Sequence, residues 1–341
     1  MTIYRVAIIG LGRMGSTIDD EHPQLSPYSI AASCQASERL QVVAGADIDP
    51  DKRTAFGARW GVDDLYEDYE LMIRQAEPDL VAICTRGHLH AEMAVKTAEA
   101  GVKMIYCEKA IACSMQEADA VLAAVQGHKA LFNTGVLRRY NNSYHRARHL
   151  IKAGEIGQPQ WAVHYAATNL LHGHIHSLDT LSFLLGDPKI ESVWGELYPR
   201  DLKIEQNRLD ADPNGIYHVV FSNGVEATSV HRGPWEFEIL GTEGSLRVLN
   251  NGTAILLRQA GDNATRNWQT VPVAAVEAPR SPTVSCLEDL VKAYETGRPS
   301  LEGVEVSHHL TEVCLAIAES HRLKQRITLP LENRSLYIFH R

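Results

Sequence analysis

Tyr4-Arg5-Val6-Ala7-Ile8-Ile9-Gly10-Leu11-Gly12-Arg13-Met14-Gly15 is the stretch whose reading decides the fold. Tyr4 to Ile9 reads as a buried strand, because every residue but Arg5 is apolar and Val6, Ile8 and Ile9 are β-branched. Gly10, Gly12 and Gly15 follow at G-x-G-x-x-G spacing. After a strand, that spacing suits a dinucleotide. The first glycine allows a tight turn and the second lets backbone approach a pyrophosphate. The third lets the next helix pack on the strand, its N-terminus toward the phosphates. Arg13 and Met14, inside the turn, are placed with the glycines as cofactor contacts.

The next strand, Leu40–Ala46, ends at Asp47, where a carboxylate accepts from the adenosine ribose hydroxyls. Ile48 and Asp49 follow, with no adjacent Arg or Ser for a 2′-phosphate, so NAD is favoured over NADP; Arg53 is near enough in sequence to bear on that. Between Gly15 and this strand, Asp19–Pro27 is rich in Asp, Pro and Ser and reads as an inserted loop before a short helix from about Tyr28. Two roles stay open for it, a wall of the substrate pocket or a surface insertion. A helix over Asp51–Trp60 and a strand over Leu80–Cys84 come next, the strand running into Thr85, Arg86 and His90. Helix Ala91–Ala100, strand Val102–Cys107 with Glu108-Lys109-Ala110, helix Met115–Gln126 and strand Ala130–Thr134 complete a β-α-β series. Such a series implies a parallel sheet with ligands at the strand C-termini. Gly10–Gly15, Asp47, Thr85–His90, Glu108, Lys109 and Asn133 then share one edge.

The second half alternates differently. Helices are expected over Tyr144–Ala153 and His176–Leu185, and strands over Gln160–Ala167, Glu191–Leu197, Gly215–Phe221, Glu226–His231, Trp235–Leu240, Ser245–Leu249 and Thr253–Arg258. Asn223-Gly224 and Asn251-Gly252 mark hairpin turns. Helices Val284–Thr296 and Ser307–Arg322 and a strand at Ile327–Leu329 follow. The fold class is α/β: an N-terminal Rossmann doubly wound parallel sheet over 1–135, plus a C-terminal α+β domain over 136–341 with a large open, mainly antiparallel sheet. An open apolar sheet face invites self-association, so a homodimer or homotetramer is expected.

Composition narrows the class. A chain of 341 residues suits two domains of about 100–200 residues each. With 45% hydrophobic and 22% charged residues it has the makings of a real core. The net charge of −9 argues against nucleic acid or an anionic membrane as partner. No apolar run approaches the roughly 20 residues of a membrane span, and no signal peptide is apparent. The six cysteines are scattered without a C-x-x-C, as in reduced thiols of a cytoplasmic protein.

Several ordered segments resemble the glucose–fructose oxidoreductase / inositol dehydrogenase / rhizopine catabolism (Gfo/Idh/MocA) family. They are G-L-G-R-M-G at 10–15, V-V-A-G-A-D ending at Asp47, I-C-T-R-G-H-L-H at 83–90 and Y-C-E-K-A at 106–110. G-E-I-G at 154–157, H-S-L-D at 176–179, L-L-G at 184–186, G-T-E-G-S-L at 241–246 and A-E-S-H at 318–321 continue the likeness over nearly the whole chain. The resemblance implies an NAD(P)-dependent oxidoreductase in which the lysine of E-K-P and the histidine opening H-x-x-D meet the substrate beside the nicotinamide. These correspond to Lys109 and His176. An aspartate often found four residues before that histidine is His172 here, which removes a negative charge and implies different proton handling. The proline after the lysine, often preceded by a cis bond, is Ala110. Because a cis non-proline bond costs roughly 2.5–4 kcal/mol, Lys109 is expected to be aimed differently. The proline of T-P-x-x-x-H is Arg86, which would face the cofactor phosphates or the substrate.

Oxidising a secondary alcohol needs a base for the hydroxyl proton while hydride leaves for the nicotinamide. A lysine does this when burial and a neighbouring cation lower its pKa from about 10.4 toward neutrality. Glu108 would hold the ammonium or the nicotinamide ribose. His172, His174 and His176 share a face if extended, as metal ligands do; on a helix only His172 and His176 do. No further ligand lies close in sequence, so no metal is expected, and His174 is assigned to the pocket lining. Asp179 is read either as a partner of an imidazole or as a solvent-facing carboxylate. Arg138, Arg139 and Tyr140 are placed where sugar or carboxylate groups are gripped, with a salt-bridged hinge as the plain alternative; Tyr165 and Asn169 are further pocket candidates. The expected substrate is a sugar, glycoside or cyclitol. Two rivals share the features: an enzyme that oxidises a glycoside transiently with bound NAD to eliminate its aglycone, and an NAD- or sugar-sensing protein.

Overall fold

The computed structural model describes residues 2–261, 267–274 and 281–341. The chain forms two compact units. The first takes Met1–Leu137, Arg280–His308 and His340–Arg341, and the second Arg138–Pro279 and His309–Phe339.

In the first unit, strands β1 (Tyr4–Ile9), β2 (Leu40–Ala46), β3 (Leu65–Tyr66), β4 (Leu80–Ile83), β5 (Met104–Cys107) and β6 (Leu131–Thr134) form a six-stranded sheet in the order β3-β2-β1-β4-β5-β6. All pairings are parallel. The order reverses between β1 and β4, the switch point where α/β sheets open a crevice for ligands. Ile9 pairs with Ala46 and Ile83, Ile83 with Cys107, and Cys107 with Thr134, so all five strands end level.

Local chemistry sets the helix ends. The Asp49 carboxylate accepts from Asp51 N–H at 3.0 Å to start Pro50–Trp60, and Gly61, at φ 67°, closes it. Ser114 caps Met115–Gly127 while Glu117 reaches back to Cys113 N–H at 2.7 Å. Strand β3 and helix Tyr69–Ala76, capped by Asp68, were not expected. The charged run before them masks a strand of only two residues. The Asp19–Pro27 insertion carries helical turns at Ile18–Glu21 and Pro23–Leu25. Asp19, buried, accepts from Tyr28 and Ser29 N–H at 2.7 and 2.9 Å, and Arg59 pairs with Asp20, so it is a pinned part of the first unit.

A division at 135/136 leaves Arg280–His308 outside the first unit; the side chains say why it belongs there. Asn133 is wholly buried and donates to Cys286 O at 3.2 Å, inside helix Pro282–Thr296 rather than at the ligand edge. The buried Glu302 carboxylate accepts Thr134 N–H at 2.8 Å, and Ser300 Oγ donates to Phe132 O at 2.6 Å. These groups satisfy β6, which has no further strand beside it.

The second unit holds β7 (Pro159–Tyr165), β8 (Thr168–Asn169), β9 (Ile190–Tyr198), β10 (Arg208–Leu209), β11 (Asn214–Phe221), β12 (Glu226–Val230), β13 (Glu236–Gly241), β14 (Gly244–Leu249), β15 (Ala254–Ala260), β16 (Trp268–Val271) and β17 (Ile327–Thr328). All but β10 form one sheet, β16-β15-β14-β13-β7-β12-β11-β9-β17 with β8 beside β11, in which only β7 and β12 pair parallel. β10 pairs with Tyr337–Ile338. Burial alternates strictly along β11, the mark of a sheet with one covered face. Helix Val304–Leu323 enters the second unit at His309 and covers β9 there. Ser320 Oγ accepts Gly195 N–H at 2.9 Å and His321 accepts Leu197 N–H at 3.2 Å, which gives the A-E-S-H segment a packing role.

No described helix is long and apolar enough to cross a membrane. None of the six cysteines forms a disulfide, and burial pushes the Cys34 thiol up to about 12.

His164, on β7, is wholly buried among His174, Trp235 and Phe237. Among the described residues neither of its ring nitrogens has a hydrogen-bond partner. Burial holds its pKa well below 6.5, with His174 and Arg138 adding to the effect. The unfolded chain therefore takes up a proton below 6.5 that the folded chain refuses, and stability is lost as the pH falls from there. His164→Leu removes that term. Relative to wild type it is expected to gain stability between pH 7.5 and 5, by at most about 1.4 kcal/mol per pH unit below 6.5. Urea unfolding at the two pH values measures it; a pH-independent difference would place the acid sensitivity elsewhere.

Candidate functional site

At the sheet edge of the first unit, the three glycines differ sharply. Gly10 has φ +89°, and a Cβ on it would stand 2.8 Å from Cys84 backbone. A Cβ on Gly15 would stand 2.1 Å from Gly10 O. Around a Cβ on Gly12 there is no heavy atom within 4 Å. Two glycines thus close the turn and the third leaves a cradle beside bare backbone, which fits a dinucleotide pyrophosphate. Helical turns at Arg13–Thr17 and Ile18–Glu21 lead away from it. Arg13 is exposed and turned onto Glu21, both contacts 2.7 Å; Met14 is half-buried.

Asp47 accepts Leu11 N–H at 2.9 Å and Asp49 N–H at 3.0 Å, which fixes its carboxylate against the glycine turn. Arg53 donates to Asp47 O at 2.7 Å, so that guanidinium is spent on backbone. Ile48 beside it is 83% exposed, an apolar side chain at the end of β2.

Past β4, Thr85 Oγ1 donates to Met93 Sδ at 3.4 Å and Arg86 is exposed. His90 is buried, with Nδ1 2.8 Å from Ala110 O and Nε2 3.1 Å from Thr85 O, so its ring sits between the segments that follow β4 and β5 and, when neutral, donates to one of the two carbonyls. Burial lowers its pKa against those two acceptors. It acts on backbone rather than presenting its ring to a ligand. Glu108 is 8% exposed; Tyr106 OH donates to Oε1 at 2.5 Å and Lys109 N–H to Oε2 at 3.3 Å. Burial raises the Tyr106 pKa far above its usual value, so that hydroxyl keeps its proton. The Lys109–Ala110 peptide is cis, the isomer expected only with proline there, and Lys109 is half-buried.

The second unit carries the other candidates. Arg138 stacks over Trp235, 4.7 Å from the ring centroid, and donates to Asn251 Oδ1 at 2.9 Å. Arg139 is 2% exposed and bonds Asp179 at 2.5 Å and Asp187 at 2.6 Å. It is an internal cation rather than a grip for ligand, and Asp179 is its counter-ion rather than an imidazole partner or a solvent carboxylate. Burial raises the Asp179 pKa to about 6 against the pull of Arg139. Tyr140 is buried; Tyr165 OH donates to Glu238 at 2.9 Å beneath Arg247; Asn169 Nδ2 donates to Asp212 O at 2.8 Å.

His172–His176 is helical, so His174 turns away from the face of His172 and His176. His172 is exposed and His176 half-buried. His174 is wholly buried between Ser177 Oγ at 3.0 Å and Gly215 O at 2.8 Å, its pKa lowered to about 4 by burial. It holds the packing and lines no open surface. Asp212 was not foreseen: its carboxylate accepts Leu171 and His172 N–H at 3.0 and 2.7 Å, anchoring the turn that leads to His176. Nothing in its sequence neighbourhood signals that contact.

A family model described as oxidoreductase family, NAD-binding Rossmann fold (Gfo/Idh/MocA) matches residues 4–136. That match covers the N-terminal part of the chain, which is similar to the family's NAD-binding domain. Among its relatives, inositol 2-dehydrogenase 3 of Saccharopolyspora erythraea is 29% identical over 199 residues, 55% of each chain, so this chain matches about half of that relative's length. The scyllo-inositol 2-dehydrogenase (NAD(+)) of Bacillus subtilis is 28% identical over 270 residues, 72% of this chain and 73% of that one. Two solved structures share the fold. Aldose-aldose oxidoreductase from Caulobacter crescentus has a TM-score of 0.78 at 19% identity, covering 96% of this chain and all of that one. Levoglucosan dehydrogenase with NADH and levoglucosan has 0.78 at 20%, covering 97% and 100%.

Proposed function

We propose that this protein oxidises a secondary alcohol of a sugar, glycoside or cyclitol, with NAD as acceptor. The observation that carries the reading is the level edge of the first unit's sheet, where the open Gly12 cradle, the fixed Asp47 carboxylate and Lys109 sit at the ends of β1, β2 and β5. The names of the inositol dehydrogenase relatives support the substrate class.

In this reading Gly10–Gly15 receive the pyrophosphate and Asp47 the adenosine ribose hydroxyls. With the Arg53 guanidinium on backbone, a 2′-phosphate would meet carboxylates, which favours NAD. Bound nicotinamide supplies the hydride acceptor. Lys109 Nζ takes the hydroxyl proton as hydride leaves carbon, and His176 is the second acid–base group, with His172 beside it in sequence. Arg138 is the better candidate of the two arginines for a substrate contact, since Arg139 is spent internally.

The test is NADH absorbance and fluorescence with NAD and NADP across a panel of sugars, glycosides and cyclitols. NADH formed with one class supports the reading and names the substrate. Glycoside cleavage without NADH accumulation would replace it by the internal redox cycle, and NAD binding with no conversion by a sensor. A homo-oligomer is part of the proposal: the second unit's sheet shows Trp194, 38% exposed, and a Trp161–His218 stack on its outer face. A monomeric mass in solution would reject it.

A further inference from the structure

The backbone carbonyl of Lys109 has a partner that comes from much later in the chain. His340 is 4% exposed, and its ring lies against Gly87, where an added Cβ would stand 2.0 Å from His340 Cδ2. His340 O accepts His88 N–H at 2.9 Å, and Nε2 lies 3.4 Å from Lys109 O. A carbonyl only accepts, so the proton of the ring is on Nε2 and the imidazole donates. His90 meets the next carbonyl, Ala110 O, at 2.8 Å. Two imidazoles thus hold two successive carbonyls of the segment after β5, and both also touch the segment after β4.

We propose that His340 is a positioning residue for Lys109, which rests on the reading of Lys109 as the base. Four rotatable bonds separate the lysine ammonium from its backbone, so its aim depends on where that backbone is held. Misplacement by about 1 Å can cost about 10²-fold in rate. His340 holds that origin by its Nε2–H on the Lys109 carbonyl and by its seat on Gly87.

The hold is read without any substrate. The full chain, with and without NAD, is treated with trace acetic anhydride, and acetylation of Lys109 is measured by mass spectrometry against exposed Lys96. In His340→Ala the Lys109 to Lys96 ratio is expected to rise about threefold or more, the loss of one hydrogen bond and its packing. His340→Gln can place an amide N–H where Nε2–H stands and should keep the ratio near wild type. His340→Asn, whose amide reaches only the Nδ1 position, should behave as alanine and carries the comparison if His340→Ala does not fold. Gly87→Ala, whose methyl takes the ring's seat, should match His340→Ala, and the double variant should be no worse than either single. An unchanged ratio in the Ala and Asn variants would overturn the inference. So would equal changes in Gln and Ala, because the ring would then act by volume alone. Turnover of Lys109→Ala judges the base separately: an active variant removes that assignment, whereas an inactive one with unresponsive labelling removes only the role of His340.

Discussion

Lys109→Ala is expected to lose turnover by about 10²- to 10⁴-fold, the usual contribution of a positioned acid–base group, while keeping NAD affinity within about threefold. The two effects separate because Lys109 is built apart from the glycine turn. It follows Cys107, the last residue of β5, and its backbone is held from several sides. Glu108, locked by Tyr106 OH at 2.5 Å, accepts the Lys109 N–H at 3.3 Å, and the carbonyl faces His340 at 3.4 Å. Removing the side chain leaves all of these in place, so the fold and the cofactor cradle should survive. Lys109→Arg sharpens the test. A guanidinium keeps the charge but cannot give up its proton at working pH, so a base is lost while an electrostatic anchor is retained. Both variants inactive, with NAD titrations close to wild type, would support proton transfer. An arginine variant near wild-type activity would reduce Lys109 to a charge, and an unimpaired alanine variant would sink the assignment.

Gly15→Ala and Gly12→Ala should fail in different ways. The methyl at 15 would lie 2.1 Å from Gly10 O and 3.3 Å from Ile8 Cγ2, so relief requires the turn itself to move off β1. Overpacking costs about 1–3 kcal/mol where side chains can adjust, and here the nearest obstacle is backbone, so at least that much stability should go, and NAD binding with it. At 12 the methyl meets nothing within 4 Å, and φ, at −85°, lies outside the left-handed region. That variant should melt with wild-type protein yet bind NAD about tenfold or more weakly, the 1.4 kcal/mol of a hindered phosphate approach. Thermal unfolding and NAD titration of the pair read both effects. Wild-type affinity in Gly12→Ala would move the pyrophosphate away from that cradle.

Much of the first unit was legible because its signals are local. An apolar run with β-branched residues makes β1 whatever surrounds it, and the G-x-G-x-x-G spacing, Asp47 and Lys109 all sit at strand ends that the β-α-β rhythm locates. The misreadings share a cause. Asp179 and His174 were weighed as ligand or solvent groups, and Arg139 as a ligand grip beside the salt-bridged alternative, because a polar residue near a motif looks functional. Which polar groups are buried against each other depends on contacts across tens of residues: Arg139 with Asp179, His174 with Gly215 O. The alternating histidines were ambiguous for the same reason, until the helical path sent His174 inward and left His172 outside.

From the sequence alone came the class of fold, the strand-end address of the cofactor turn and the resemblance to a family, because hydrophobic period and glycine spacing act over a few residues. The tertiary structure alone decided which segments complete the first unit, which glycine is the open one, and which partners hold Lys109 and the turn before His176. Those facts rest on Glu302 meeting Thr134, His340 meeting Gly87 and Asp212 meeting His172. Such pairs satisfy buried polar groups only after the chain has closed on itself, so no neighbouring residue in the sequence announces them.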